Sequence, residues 1–156
     1  MSVSVLSVLH NCLCGGLSAA GFGVLFNVGF RTLPLCAASG GIALTVRSIA
    51  LGFGWGFEAS SFVAALAVGI AVQLLPPSVG ASRNVFHVVG CIPMIPGVFA
   101  AKAILGLFAT TTASSIQNDT LTGAITFGLR AMFTVGALGT GLAIPALVFR
   151  DHEAAQ

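Results

Sequence analysis

The chain has 156 residues, 56% of them hydrophobic and only 6% charged, with a mean hydropathy of +1.04. No soluble domain of this length can hide so large an apolar share in its core, so the composition predicts an all-α integral membrane protein. The six Lys and Arg are scattered and form no basic patch for nucleic acid, while 20 glycines and no tyrosine suit helices that touch through small residues.

The first span is predicted over 5–26, about 22 residues and enough for the hydrocarbon core. Residues 1–9 contain no Lys or Arg and no processing site follows, so this helix is expected to be retained rather than cleaved. Asn27-Val28-Gly29 ends it, Arg31 follows in a short loop, and Pro34 suits the first turn of a second span over 33–53. Gly52, Gly54 and Gly56 make the next turn around Trp55, an indole expected at interfacial depth. Glu58 opens a third span over 59–75, which Pro76-Pro77 stops, and 78–84 is a polar connector containing Arg83. Small residues four apart (Gly15, Ala19 and Gly23; Gly52 and Gly56; Ala65 and Gly69) predict close helix contacts.

The fourth span, 85–109, carries Ile92-Pro93-Met94-Ile95-Pro96-Gly97. Two prolines three apart cannot continue an α-helix, because each lacks an N–H and its ring clashes with the preceding turn. A helix is therefore expected to arrive, break over Pro93–Gly97 and either resume or re-enter. Irregular backbone at membrane depth survives only inside protein or beside a polar cavity, so Pro93, Pro96 and Gly97 are candidate substrate-site residues. The polar stretch 110–120 reads as a loop. A fifth span covers 121–149, with Pro145 tolerated near its end, and 151–156 is a polar tail. The whole of 1–150 is one transmembrane domain.

Five crossings place Arg31, Arg83 and Arg150 on one side and Glu58 and Asp119 on the other. Cationic loops stay cytoplasmic, which puts the amino terminus outside and the carboxyl terminus inside.

Arg47, Lys102 and Arg130 remain within apolar runs. Intramembrane charge is costly and marks function. At about 1.5 Å per residue, Arg47, Lys102 and Arg130 lie about 9, 10 and 14 Å below the outer ends of their spans, in one layer. The acids Glu58 and Asp119 sit at the rim and in a loop, so the missing negative charge is a carboxylate substrate, an acid on another subunit, or lipid phosphate reached by snorkelling. His87, one turn into the fourth span, is a weaker candidate for a proton relay. No serine has a base and no acid is paired with a histidine inside the membrane, which argues against an enzyme. Cys12, Cys14, Cys36 and Cys91 lie in apolar runs without metal-ligand spacing, and no cofactor is expected.

Gly21-Phe22-Gly23-Val24-Leu25-Phe26-Asn27-Val28 with Arg31, Ile92 to Gly97, and Gly136-Ala137-Leu138-Gly139-Thr140-Gly141-Leu142-Ala143-Ile144-Pro145 together resemble the carboxyl-terminal half of the threonine/serine exporter family. The likeness spans nearly the whole chain and is greatest to the short stand-alone, YjjB-like form. It implies a bacterial inner-membrane exporter of small carboxylates such as threonine, serine or succinate. It also implies a larger membrane partner equivalent to the family's amino-terminal half, which this chain lacks. Arg47 falls in a stretch associated with the family pattern, whereas Lys102 and Arg130 match no motif. Two other roles are compatible with the residues: a non-transporting scaffold for such a partner, and a homo-oligomeric channel in which a ring of Arg47 or Arg130 selects anions.

Overall fold

The computed structural model describes residues 5–75, 83–112 and 118–153, with backbone alone at 83, 84 and 150–153. The Pro76-Pro77 stop, most of the 78–84 connector, the middle of the 110–120 loop and the end of the tail lie outside the described residues. So do the side chains of Arg83 and Arg150, on which the charge topology partly rests.

Six α-helices and one 3-10 turn follow in order, with no strand among the described residues: α1 (Val5–Leu25), α2 (Leu33–Gly52), α3 (Phe57–Gln73), α4 (Arg83–Cys91), the 3-10 turn (Ile92–Met94), α5 (Gly97–Thr112) and α6 (Asn118–Glu153). This is an all-α membrane protein. α1, α2 and α6 are each long and apolar enough to cross a bilayer, and the pair Val85–Met94 with Gly97–Thr112 passes the same test as one broken span. The length criterion therefore supports three to four crossings where the sequence predicted five. The difference is α3, together with the bent α4–α5 pair where that is not counted as one span: the 17 residues of α3 extend about 25 Å at 1.5 Å each, less than the hydrocarbon thickness of about 30 Å.

The helix ends follow from local chemistry. α1 closes with Val28 N–H on Gly23 O (2.9 Å) and Asn27 in the left-handed region at φ 56°, the geometry that asparagine tolerates at a helix terminus. α2 opens on Pro34 and closes in the same way, with Trp55 N–H on Ala50 O (3.2 Å) and Gly54 at φ +83°. The loop predicted over 110–120 is shorter than the polar composition suggested. Thr110, Thr111 and Thr112 are helical, and their hydroxyls are satisfied within the helix by donating back to the carbonyls of Leu107 and Phe108, at 2.6 to 3.2 Å.

The chain divides into two units, Met1–Met94 with Ala137–Gln156, and Ile95–Gly136. In the first, α2 is the central element, touching α1, α3, α4 and the 3-10 turn. Its core is built from small residues, Ala19, Cys36, Ala43, Ala64, Ala65 and Val68, with Phe86, Val89 and Met94 as larger members. Backbones approach closely: a Cβ at Gly15 would lie 2.5 Å from Gly40 O, and one at Gly40 would overlap Ala19 Cβ. Pro145 leaves α6 unbroken and packs its ring where Gly69 lacks a side chain. In the second unit α5 and the first part of α6 form a hairpin in which Gly106 faces Ala124, and Gly128 faces Ala103.

Candidate functional site

The break is where the prolines require it. α4 ends at Cys91, Ile92–Met94 tighten into the 3-10 turn, and α5 starts at Gly97. Gly97 N–H turns back to Ile95 O at 2.8 Å, and the helical ladder resumes when Ala100 N–H reaches Pro96 O at 3.1 Å. Pro93 is half-buried, Pro96 is buried and Gly97 is exposed.

Arg47 stands on the penultimate turn of α2, half-buried. Its Nη1 donates to the carbonyl of Met94, the last residue of the 3-10 turn, at 3.3 Å. Its Cζ lies 3.9 Å from the centre of the Phe57 ring in the first turn of α3, a favourable cation–π geometry. One guanidinium therefore ties three elements together: α2 supplies it, the interrupted backbone accepts from it, and α3 supports its face. The side chain climbs to the level of Phe57, the residue before Glu58. The predicted separation between this arginine and Glu58 at the rim is therefore smaller than rise per residue suggested.

Asn11 Nδ2 donates to Ser48 Oγ at 2.8 Å, clipping α1 to α2 next to Arg47 in sequence. Thr45 Oγ1, on the same turn of α2, is buried without a hydrogen-bond partner among the described residues. His87 is buried in α4, 6% exposed, flanked in sequence by the core residue Phe86.

Lys102 and Arg130 belong to the other unit, where the hairpin brings them together. Phe99 and Lys102 are three apart on α5, and Phe127 and Arg130 are three apart on α6. The partners cross over: Lys102 Nζ is 5.2 Å from the centre of the Phe127 ring, and Arg130 Cζ is 5.9 Å from that of Phe99. The two rings stack on each other with centres 6.0 Å apart and an 18° interplanar angle. Both cations are exposed and both rings half-buried.

The sequence did not reveal the three phenylalanines. The repeated Phe-x-x-cation spacing was a readable signal for Phe99 and Phe127, since residues three apart share a helix face. Nothing local marked Phe57, which meets Arg47 only because the α2–α3 turn folds back. Among the described residues no group of three His, Cys, Asp or Glu is arranged to hold a metal ion.

No solved structure matches the chain. Residues 11–148 match the family described as Threonine/Serine exporter, ThrE. The match takes in every helix described above apart from the outer ends of α1 and α6, and the chain thus belongs to the threonine/serine exporter family of membrane transporters.

Proposed function

We propose that the chain is the short subunit of a two-component exporter of small carboxylates, threonine, serine or succinate, acting with a larger membrane subunit that corresponds to the family's amino-terminal half. In this reading it crosses the bacterial inner membrane five times, amino terminus outside and carboxyl terminus in the cytoplasm. Arg47 is the group that meets the carboxylate of the substrate, beside the break formed by Pro93, Pro96 and Gly97. Lys102 and Arg130 supply further positive charge on the α5–α6 hairpin, and His87 is the candidate for handling a coupling proton.

The observation that carries the proposal is the hydrogen bond from Arg47 to Met94 O. A guanidinium has five donors, and this bond uses one nitrogen, leaving a planar fork suited to a carboxylate. A carboxylate is a stronger acceptor than a peptide carbonyl, so an arriving substrate competes for the arginine that pins the interrupted helix. Binding is thereby linked to movement of the break, which is what a carrier requires.

The test uses vesicles that contain this chain and its larger partner in fixed amounts. Arg47→Gln is expected to abolish efflux of labelled threonine or succinate while the protein remains inserted. Undiminished efflux refutes the assignment of Arg47. Full efflux by the partner alone makes this chain a scaffold, and conductance without any imposed gradient requirement makes it a channel.

A further inference from the structure

We infer that Phe57 is a positioning residue of the Arg47 site: its ring holds the face of the guanidinium and stays in place while the edge passes from the Met94 carbonyl to the carboxylate of the substrate. This rests on the reading of Arg47 as the carboxylate-binding group, and it says what keeps that group stationed between its two acceptors.

The ring stands on a fixed support. The chain doubles back between α2 and α3 with Gly54 at φ +83° and Gly56 extended at φ -61°, ψ 156°, so α3 begins beside the last turns of α2. Two buried serines then lock its first turn. Ser60 Oγ donates to Gly56 O at 2.9 Å and Ser61 Oγ donates to Phe57 O at 2.8 Å, and both residues are 0% exposed. Of the aromatic residues around this turn, Phe53 is 78% and Trp55 52% exposed, whereas Phe57 is half-buried with Arg47 Cζ 3.9 Å from its centre. The Lys102 and Arg130 contacts with their rings are longer, at 5.2 and 5.9 Å.

The carbonyl side of Arg47 is looser. Met94 O belongs to the interrupted backbone and accepts from Nη1 at 3.3 Å, longer than either serine bond and long for a charged donor. The two contacts also use different parts of the cation, since a guanidinium donates through N–H groups in its plane and stacks an aromatic ring on its face. A carboxylate arriving at the edge therefore replaces Met94 O without displacing Phe57. Once the edge is released, the ring alone keeps the flexible stem from carrying the charge away toward water. Apparent affinity scales with the population of the binding-competent arrangement, so the ring governs half-saturation rather than the maximal rate.

The test places mono-, di- or trifluorophenylalanine at position 57 of the full-length chain, in vesicles that also hold the larger partner, and follows efflux of labelled threonine over a range of internal concentrations. Fluorine drains the negative face of the ring while nearly preserving its shape. The half-saturating concentration is expected to climb with each fluorine to about fivefold at three, the scale of a partly desolvated cation–π contact, with the maximal rate held within about twofold. Phe57→Leu, apolar without a π face, should match the trifluoro ring, and Phe57→Trp should recover the wild-type half-saturation. A second measurement needs no transport. In bicelles the Arg47 Nε–H resonance should carry a ring-current shift that persists when threonine saturates the site and vanishes in Phe57→Leu.

A half-saturation that ignores fluorine overturns the inference even where Phe57→Leu is impaired, because the ring then only fills space. So does a ring-current shift lost at saturation, which makes ring and carboxylate competitors, and so does an effect confined to the maximal rate. The two readings fail separately. Undiminished efflux in Arg47→Gln removes the assignment of Arg47 and this inference with it, whereas a flat fluorine series in vesicles that Arg47→Gln silences removes this inference alone.

Discussion

Replacing Arg47 by Met tests whether one side chain holds the interrupted helix to α2. The substitution removes the bond to Met94 O at 3.3 Å and the contact with Phe57 at 3.9 Å. A hydrogen bond from a charged donor contributes about 1.5–3 kcal/mol, and the long distance argues for the lower value. The cation–π contact adds about 0.5–2 kcal/mol. Relief of the arginine's desolvation offsets part of this loss. The net destabilisation is about 2 kcal/mol, a roughly 30-fold change in the folding equilibrium. Reversible unfolding in bicelles measures it, together with amide exchange over 95–100, which should quicken. Wild-type stability with unchanged exchange would refute the claim that Arg47 pins the break. Arg47→Lys separates structure from transport: it keeps a charged donor but loses the planar fork. Its stability should fall by less than about 1 kcal/mol, while efflux should drop about tenfold or more if bidentate recognition matters.

Two further substitutions test the packing that positions this site. Gly40→Val forces a side chain onto Ala19 Cβ and the Gly15 carbonyl and should cost about 1–3 kcal/mol through overpacking, measured as a lower unfolding midpoint; Gly21→Ala, where a Cβ meets nothing within 4 Å, is the matched control. At Asn27, φ 56° predicts that Asn27→Gly is close to neutral and Asn27→Val loses about 1–2 kcal/mol, checked by the same unfolding curves.

The parts of the fold legible in the sequence were those fixed by covalent chemistry or by bulk composition. Pro93, Pro96 and Gly97 announced the break because a missing N–H and a ring clash do not depend on context. Pro34, Asn27 and Gly54 likewise marked helix ends through their own backbone preferences. Thr110–Thr112 misled because polarity was read as loop, whereas a threonine hydroxyl inside a helix finds its acceptor one turn back. α3 was counted as a span on its apolar run between Glu58 and Pro76-Pro77 and on the sidedness of the loop charges, although its 17 residues are marginal in length.

The candidate site was only half legible. The charges of Arg47, Lys102 and Arg130 stood out against an apolar background, but what each one touches depends on how helices are set side by side. The meeting of Arg47 with Met94 O needs a contact between residues 47 positions apart. The Lys102–Phe127 and Arg130–Phe99 exchange needs the register of α5 against α6, which Gly106, Ala124, Ala103 and Gly128 set by close approach. No residue pattern within one helix encodes that register.

The account stands on recognition of a substrate carboxylate by Arg47. The most direct measurement is discrimination between threonine and its carboxamide, and between succinate and its diamide, in vesicles holding both subunits. Wild type should carry the acids and reject the amides by about a hundredfold, the scale of losing one charge-assisted hydrogen bond of up to about 3 kcal/mol, and Arg47→Gln should collapse that ratio toward one. Equal transport of acids and amides by the wild type, or a ratio that survives Arg47→Gln, would contradict it.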